Sequence, residues 1–429
     1  MSKRIILGES GGPTPVIDWE LAGALAAAQR HGWTVYGMRN GLEGLLSADV
    51  PGNIVDLTNM DPMSFCFNGP GAGLGTTRLL PEDAELRAIA GQLKRLEIDG
   101  VIYIGGNDSA AMLQRLSQCS DAQCVHGIKT IDNDLPGTHH CPGFGSAALF
   151  NATALKNLFS DVGSFRARHT TETDGKTTHG WKTVPVMVYQ AMGRNTGWLT
   201  QAMSFAKVDP KGEIDPARPP HVFVSWERPF EETPFLDRVQ AAIDEHGTAT
   251  VVVGEDVSLP GEGKPSLAKR EKAKAKEELK VDKSGNPIFG GATSFSSAVY
   301  MATLIAEKLK VRTAPATIKE MAFLPQHIQR SHSMSPVDAS DAYRVGWGAV
   351  EAIAAGENKR SVVLRRESSR TTTGLVDLST IAHKVREVEP EYIQGLEGPT
   401  QAFVDEFIDL IGGPAAIPHY SDMRMPPVE

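Results

Sequence analysis

Short β-branched runs alternate with amphipathic stretches through the first third of the chain, and glycine turns stand between them. That rhythm constrains the fold more than any other feature. Residues 4–7 read as a strand, 18–31 as a helix and 34–38 as a second strand. Residues 81–96 have helical periodicity, with Leu86, Ile89, Leu93 and Leu96 on one face. Then come a strand at 101–104, a helix at 109–118 and a strand at 124–128. The pattern resumes with strands at 184–189, 221–224 and 250–253, and with helices at 196–205, 235–246, 294–309 and 338–355. Such alternation predicts an α/β fold, mostly parallel, with helices on both sheet faces. Right-handed crossovers then place a ligand crevice at the carboxyl ends of the strands.

The glycine turns are expected to follow strands, and 42 glycines with 27 prolines exceed average usage. Glycine lets backbone turn sharply or approach a ligand closely. A length of 429 residues suggests two or three domains and ample core. With 43 basic against 52 acidic residues, the net charge of −9 argues against a dedicated nucleic-acid or anionic-membrane binder, while allowing a local basic pocket. No apolar run approaches the roughly 20 residues of a membrane span, and 5–7 is too short for a signal peptide, so a cytoplasmic protein is expected. Cys66, Cys119, Cys124 and Cys141 are too few for a disulfide scaffold and lack zinc-site spacing. They read as reduced thiols. His139, His140 and Cys141 are adjacent, and adjacent side chains rarely converge on one ion.

Four segments carry chemistry: Ser10-Gly11-Gly12-Pro13-Thr14, Gly73 to Arg78, Gly105-Gly106-Asn107-Asp108-Ser109, and Lys129-Thr130-Ile131-Asp132-Asn133-Asp134. Amides at glycine turns, reinforced by a following helix N-terminus, suit an anion such as phosphate. Ser109 is the expected N-cap of its helix. Taken singly, each segment has a plainer reading. Asp132 and Asp134 alone describe a solvated turn, Arg194 a surface arginine and His327 a loop histidine. Trp198 and Leu199 read as core packing. The set in this order is far more specific.

In these segments the sequence resembles the phosphofructokinase family, from Ser10 to the Gln-His-Ile-Gln-Arg run ending at Arg330. The resemblance is strongest in Gly105–Ser109, Lys129–Asp134 and Met192-Gly193-Arg194. The run Cys141 to Ala147 also looks like the subgroup that uses pyrophosphate. The resemblance implies two Rossmann-like three-layer α/β/α domains, with the active site in the cleft between them, in a homodimer or homotetramer. It implies magnesium-dependent phosphoryl transfer to the 1-hydroxyl of fructose 6-phosphate. It gives Asp132 the part of general base, and Asp134, with Asn107, that of holding the metal. Thr130, Lys129, Arg78 and the Gly11 and Gly12 amides would stabilise the moving phosphoryl group, with Gly106, Asp108 and Ser109 at the donor. Met192, Gly193 and Arg194 would embrace the sugar, Glu255 accept its hydroxyls, and His327 and Arg330 clamp its phosphate.

Asp108 and Lys129 stand where ATP-using bacterial relatives typically carry glycine. An aspartate there fills the space of an ATP α-phosphate and repels its charge, while a lysine can hold the end of a small, highly charged donor. Pyrophosphate is therefore the expected donor, and reversible transfer follows from the similar energies of the two phosphate bonds. Asn107 replaces a metal-binding aspartate of many relatives. Pro185 and Met321 lie near positions where many bacterial members place arginines that reach a neighbour's sugar phosphate; Lys182 or Lys319 would have to substitute.

Alternatives are an ATP-dependent enzyme of the same fold, sedoheptulose 7-phosphate as acceptor, or a catalytically silent sugar-phosphate sensor. A nicotinamide-dependent oxidoreductase is disfavoured because Ser10-Gly11-Gly12-Pro13 lacks the G-x-G-x-x-G spacing. The expected division is a donor-binding unit at 1–150, a sugar-phosphate unit at 151–360 with a lysine-rich insertion near 261–285, and a segment at 361–429 packing back on the core. Interleaving between the units is expected too.

Overall fold

A computed structural model describes residues 2–66, 71–165, 167–173, 175–274, 295–309, 317–330, 334–367 and 370–419. Among these, the strands are β1 (Arg4–Glu9), β2 (Thr34–Met38), β3 (Ile54–Asp56), β4 (Gly100–Gly105), β5 (Gln123–Ile128), β6 (Ala167–Thr173), β7 (Lys176–Gln190), β8 (Val222–Val224), β9 (Ala249–Val253), β10 (Thr317–Phe323), β11 (Arg360–Glu367) and β12 (Arg370–Asp377). They form two sheets. The first has the order β12-β11-β5-β4-β1-β2-β3, and the second β10-β7-β9-β8, with β6 paired to β7.

Neighbours from β11 to β2 run parallel, and antiparallel strands close both edges of the first sheet. Strands β4 and β9 are buried along their whole length, as parallel strands covered on both faces must be. In the first sheet the chain moves from β1 outward to β2 and then returns to β4 on the other side. The order therefore reverses between β1 and β4, whose ends lie side by side with Glu9 opposite Ile104. A crevice forms at such a reversal, outside the carboxyl ends. Helix formation follows the apolar pattern: Asp83–Arg95 buries Leu86, Ile89 and Leu93, and a reciprocal capping box between Glu82 and Glu85 starts it.

The chain does not divide at one point. The helix Pro336–Ala354, counted by sequence with the second unit, and strand β11, which opens the 361–429 segment, both pack with the first sheet, because β11 pairs with β5 and the helix lies against Ile17–Arg30. A large apolar cluster surrounds the first sheet, and another fills the space between the second sheet and helices Glu232–His246 and Ser297–Lys308. A third joins helix Phe144–Gly163, Trp198, and Phe403 and Phe407 of the C-terminal helix Gln401–Phe407. Trp198 and Leu199 are core residues as expected. Of the lysine-rich insertion, Leu267–Lys274 is helical, and 275–285 lies outside the described residues. Among the described residues no helix is long and apolar enough to cross a membrane.

Candidate active site

The carboxyl ends of both sheets open on one cleft of about 560 Å³. Strand β1 delivers Ser10 to Thr14, β4 delivers Gly106 to Ser109, and β5 delivers Lys129 to Asp134. From the second sheet, β7 leads to Met192 and Arg194, β9 to Glu255, and β10 to His327 and Arg330. Arg78 reaches in from the loop after Gly73. That loop follows the short helix Met63–Cys66 rather than a strand, contrary to the sequence expectation. Gly193 does not line the cleft. Its φ of +110° and the Thr196 carbonyl, 2.8 Å from where a Cβ would sit, explain the glycine as a turn between Met192 and Arg194.

Lys129 is buried to 3 % exposure, and its ammonium donates to the carbonyls of Ser10 at 3.0 Å and Gly12 at 2.6 Å. The cation thus ties the first glycine turn to the loop after β5. Burial lowers its pKa to about 8, aided by repulsion from Arg330 and opposed by Glu20, Glu9 and Asp132. Ser109 is not an N-cap: its helix runs Asn107–Leu116 with Gly106 at the cap position. The Ser109 hydroxyl instead hydrogen-bonds the Ser10 hydroxyl, joining the turns after β1 and β4.

Asp132 and Asp134 lie half-buried on the cleft floor. The Asp132 amide donates to the Thr130 hydroxyl at 3.1 Å. Burial raises the Asp132 pKa, while Arg194, Arg330 and Lys129 oppose the rise. Asp134 is pushed up to about 7 by burial and by repulsion from Asp132. Glu255 is also pushed up to about 7, by burial and then Asp132. Three carboxyl groups raised above their ordinary range by burial, facing three arginines and a lysine, make a site that shifts protons while holding anions. His327, exposed at the rim, is lowered by burial and by the charges of Arg330 and Arg78.

Asn107 accepts from the Asp108 amide at 2.9 Å and donates to the Lys384 carbonyl at 3.3 Å. Asp108 and Asn107 line both this cleft and an adjoining cavity of about 410 Å³, whose walls include Arg115, Asn195, His383 and Val385. The candidate stand-ins for missing arginines fare differently. Lys319 is not among the residues that line the cleft, and its ammonium lies 3.4 Å from the Phe165 ring centroid; the Lys182 side chain lies outside the described residues.

Sequence reasoning missed the acids beneath the site. Glu9 accepts from the Leu74 amide at 2.9 Å and Asp18 from the Gly73 amide at 2.7 Å, so together they hold the loop that carries Arg78. Burial raises both, Glu9 well above the carboxylate range with Asp18 pushing the same way. Glu20 is fully buried, with neither carboxyl oxygen hydrogen-bonded, and burial raises it strongly. An acid closing an otherwise apolar strand, as in Arg4-Ile5-Ile6-Leu7-Gly8-Glu9, was the available signal. Gln329 was missed as well. It is buried, accepts from the Met192 amide at 3.0 Å and donates to the Gln190 carbonyl at 3.3 Å, fixing the end of β7.

Two mostly parallel sheets facing each other across a cleft lined with glycine turns, arginines and paired aspartates define a phosphotransferase-type α/β protein. The phosphofructokinase family description matches residues 4–353, and the chain belongs to that family. It is 28% identical over 438 residues to the pyrophosphate–fructose 6-phosphate 1-phosphotransferase of Xanthomonas campestris pv. campestris, covering 98% of this chain and 94% of that one. To the enzyme of the same name from Rhodospirillum rubrum it is 29% identical, covering 91% and 89%. The crystal structure of a pyrophosphate-dependent phosphofructokinase from Nitrosospira multiformis superposes with a TM-score of 0.75 at 26% identity, covering 99% of this chain and 95% of that chain.

Proposed function

We propose that the protein transfers a phosphoryl group reversibly between pyrophosphate and the 1-hydroxyl of fructose 6-phosphate, as a cytoplasmic homodimer or homotetramer. The observation that carries the choice of donor is the pairing of Asp108, at the boundary between the cleft and the adjoining cavity, with the buried Lys129 ammonium under the first glycine turn. A nucleotide donor would have to pass the Asp108 carboxylate with its α-phosphate. Pyrophosphate stops short of it and keeps its charge near Lys129, Arg78 and the amides of Gly11 and Gly12.

Asp132 takes the proton of the sugar 1-hydroxyl as that oxygen attacks the terminal phosphorus, and phosphate leaves. Arg194, Glu255 and Met192 hold the sugar, and His327 with Arg330 hold its phosphate. Positioning and charge stabilisation supply most of the acceleration in such transfers.

Magnesium fits the oxygen donors present. Asp134 and Asp132 are carboxylates whose mutual repulsion a divalent cation would relieve, and Asn107 adds a neutral amide oxygen. Magnesium usually keeps several waters and takes its remaining ligands from one or two carboxylates and substrate phosphate. Bound there, the metal would neutralise charge on the donor oxygens. A matrix of pyrophosphate and ATP against fructose 6-phosphate and sedoheptulose 7-phosphate tests this reading. The expected result is fructose 1,6-bisphosphate formed with pyrophosphate; good turnover with ATP and none with pyrophosphate would overturn it.

A further inference from the structure

Past residue 353, where the family match ends, the chain runs from helix Leu378–Ile381 on the first sheet toward the turn Pro390–Tyr392, beside the cavity that His383 and Val385 line. Arg386 lies in the middle of this segment. Its amide donates to the Asp134 carbonyl at 2.7 Å. Its guanidinium donates to the carbonyls of Thr138, of His139 at 3.2 Å and of Asn133 at 3.3 Å. These are the carbonyls of the loop that carries Asp132 and Asp134.

The same guanidinium stacks on the Trp198 ring, 4.4 Å from its centroid, and the Trp198 indole N–H donates back to the Arg386 carbonyl at 3.2 Å. Trp198 opens the helix Trp198–Ala202, four residues after Arg194. Two residues further on, the Val388 amide donates to Glu227, the carboxylate that also accepts from the Gly197 amide at 2.7 Å. One short segment therefore grips the aspartate loop after β5 of the first sheet and the arginine-bearing turn after β7 of the second.

We propose that Arg386 is a positioning residue for the phosphoryl-transfer step, setting the Asp132–Asp134 loop in register with Arg194 across the cleft; in its kinetic part this rests on the function proposed above. A planar fork that satisfies three carbonyls and stacks on an indole cannot be copied by a point-charge ammonium. Misplacement by a fraction of an ångström is enough to slow a transfer that depends on alignment.

The test compares Arg386→Ala and Arg386→Lys with the parent enzyme. In Arg386→Ala the expected loss of kcat is on the order of 10- to 100-fold, with KM for each substrate held within about threefold. Arg386→Lys should recover only part of it. Millimolar guanidinium, but not ammonium, should restore kcat in the alanine variant, a response that a simple loss of stability would not give. Hydrogen exchange without substrate should show faster exchange in Arg386→Ala across 130–141 and 195–200 and parent rates elsewhere. That readout stands even where the parent transfers phosphate to neither sugar, so it separates failure of this proposal from failure of the assigned reaction. Parent-like kcat in Arg386→Ala, or parent-like exchange across both segments, would overturn it.

Discussion

The Arg330 guanidinium lies directly over Gly12: a Cβ built on Gly12 would sit 2.1 Å from Arg330 Nη1. The sequence assigned these residues to opposite substrates, and the structure brings them into contact above Lys129. Gly12→Ala must push Arg330 aside, and because a flexible side-chain end is what moves, the fold itself loses little. We expect kcat/KM to fall by roughly 100-fold, with a melting temperature within about 2 °C of the parent. Steady-state kinetics beside a thermal melt checks this; unchanged kinetics would mean that Arg330 works elsewhere.

Asp108 lines both the cleft and the cavity beyond it. If its carboxylate is the barrier to a longer donor, Asp108→Gly should raise kcat/KM for ATP by at least about tenfold and lower it for pyrophosphate. Lys129 is a poorer first target, because removing it strips the carbonyls of Ser10 and Gly12 of their donor and loosens the turn itself. Undiminished rejection of ATP by Asp108→Gly would remove the steric and charge argument for the donor.

What the sequence made legible follows from range. The strand runs and glycine turns are local: β4 is apolar over Val101–Ile104 because both faces are covered, and the turn after it needs glycine whatever lies across the cleft. Most of the site residues could be named because they follow a strand end; Arg78, on a loop after the helix Met63–Cys66, does not. Partnerships across long separations were not legible. Ser109 looks like a cap from its neighbours, yet its hydroxyl turns to Ser10, 99 residues away. Glu9 and Asp18 look like ordinary acids until the Gly73–Leu74 loop folds onto them. Nothing local in Arg386 distinguishes it from a surface arginine.

Asp134 holds its proton to about pH 7 in the folded protein, because burial and Asp132 disfavour its charge. The unfolded chain releases that proton near pH 4, so between about pH 4 and 7 the folded state binds more protons than the unfolded. Stability from this group is therefore lost as pH rises through that window. Asp134→Asn should leave the ligand-free protein equal to the parent near pH 4 and progressively more stable above it, with the full difference reached past pH 7. Scanning fluorimetry across pH gives the curve. A difference that shrinks as pH rises would contradict the raised pKa.

Asn133 sits between the two aspartates with a φ of +55°, fully buried, and its side-chain oxygen accepts from the Cys141 amide at 2.9 Å. Asparagine tolerates this left-handed backbone better than most residues, whereas alanine pays roughly 1–2 kcal/mol for it. Both Asn133→Ala and Asn133→Gly lose the hydrogen bond to Cys141, at a cost of about 1–3 kcal/mol for the buried amide left behind. Only the alanine adds backbone strain, so chemical denaturation should rank the parent above Asn133→Gly and that above Asn133→Ala. Both variants should also slow turnover, since the residue's conformation fixes how far apart Asp132 and Asp134 point. If Asn133→Ala proved as stable as Asn133→Gly, the left-handed turn would not be what holds the two carboxylates in place.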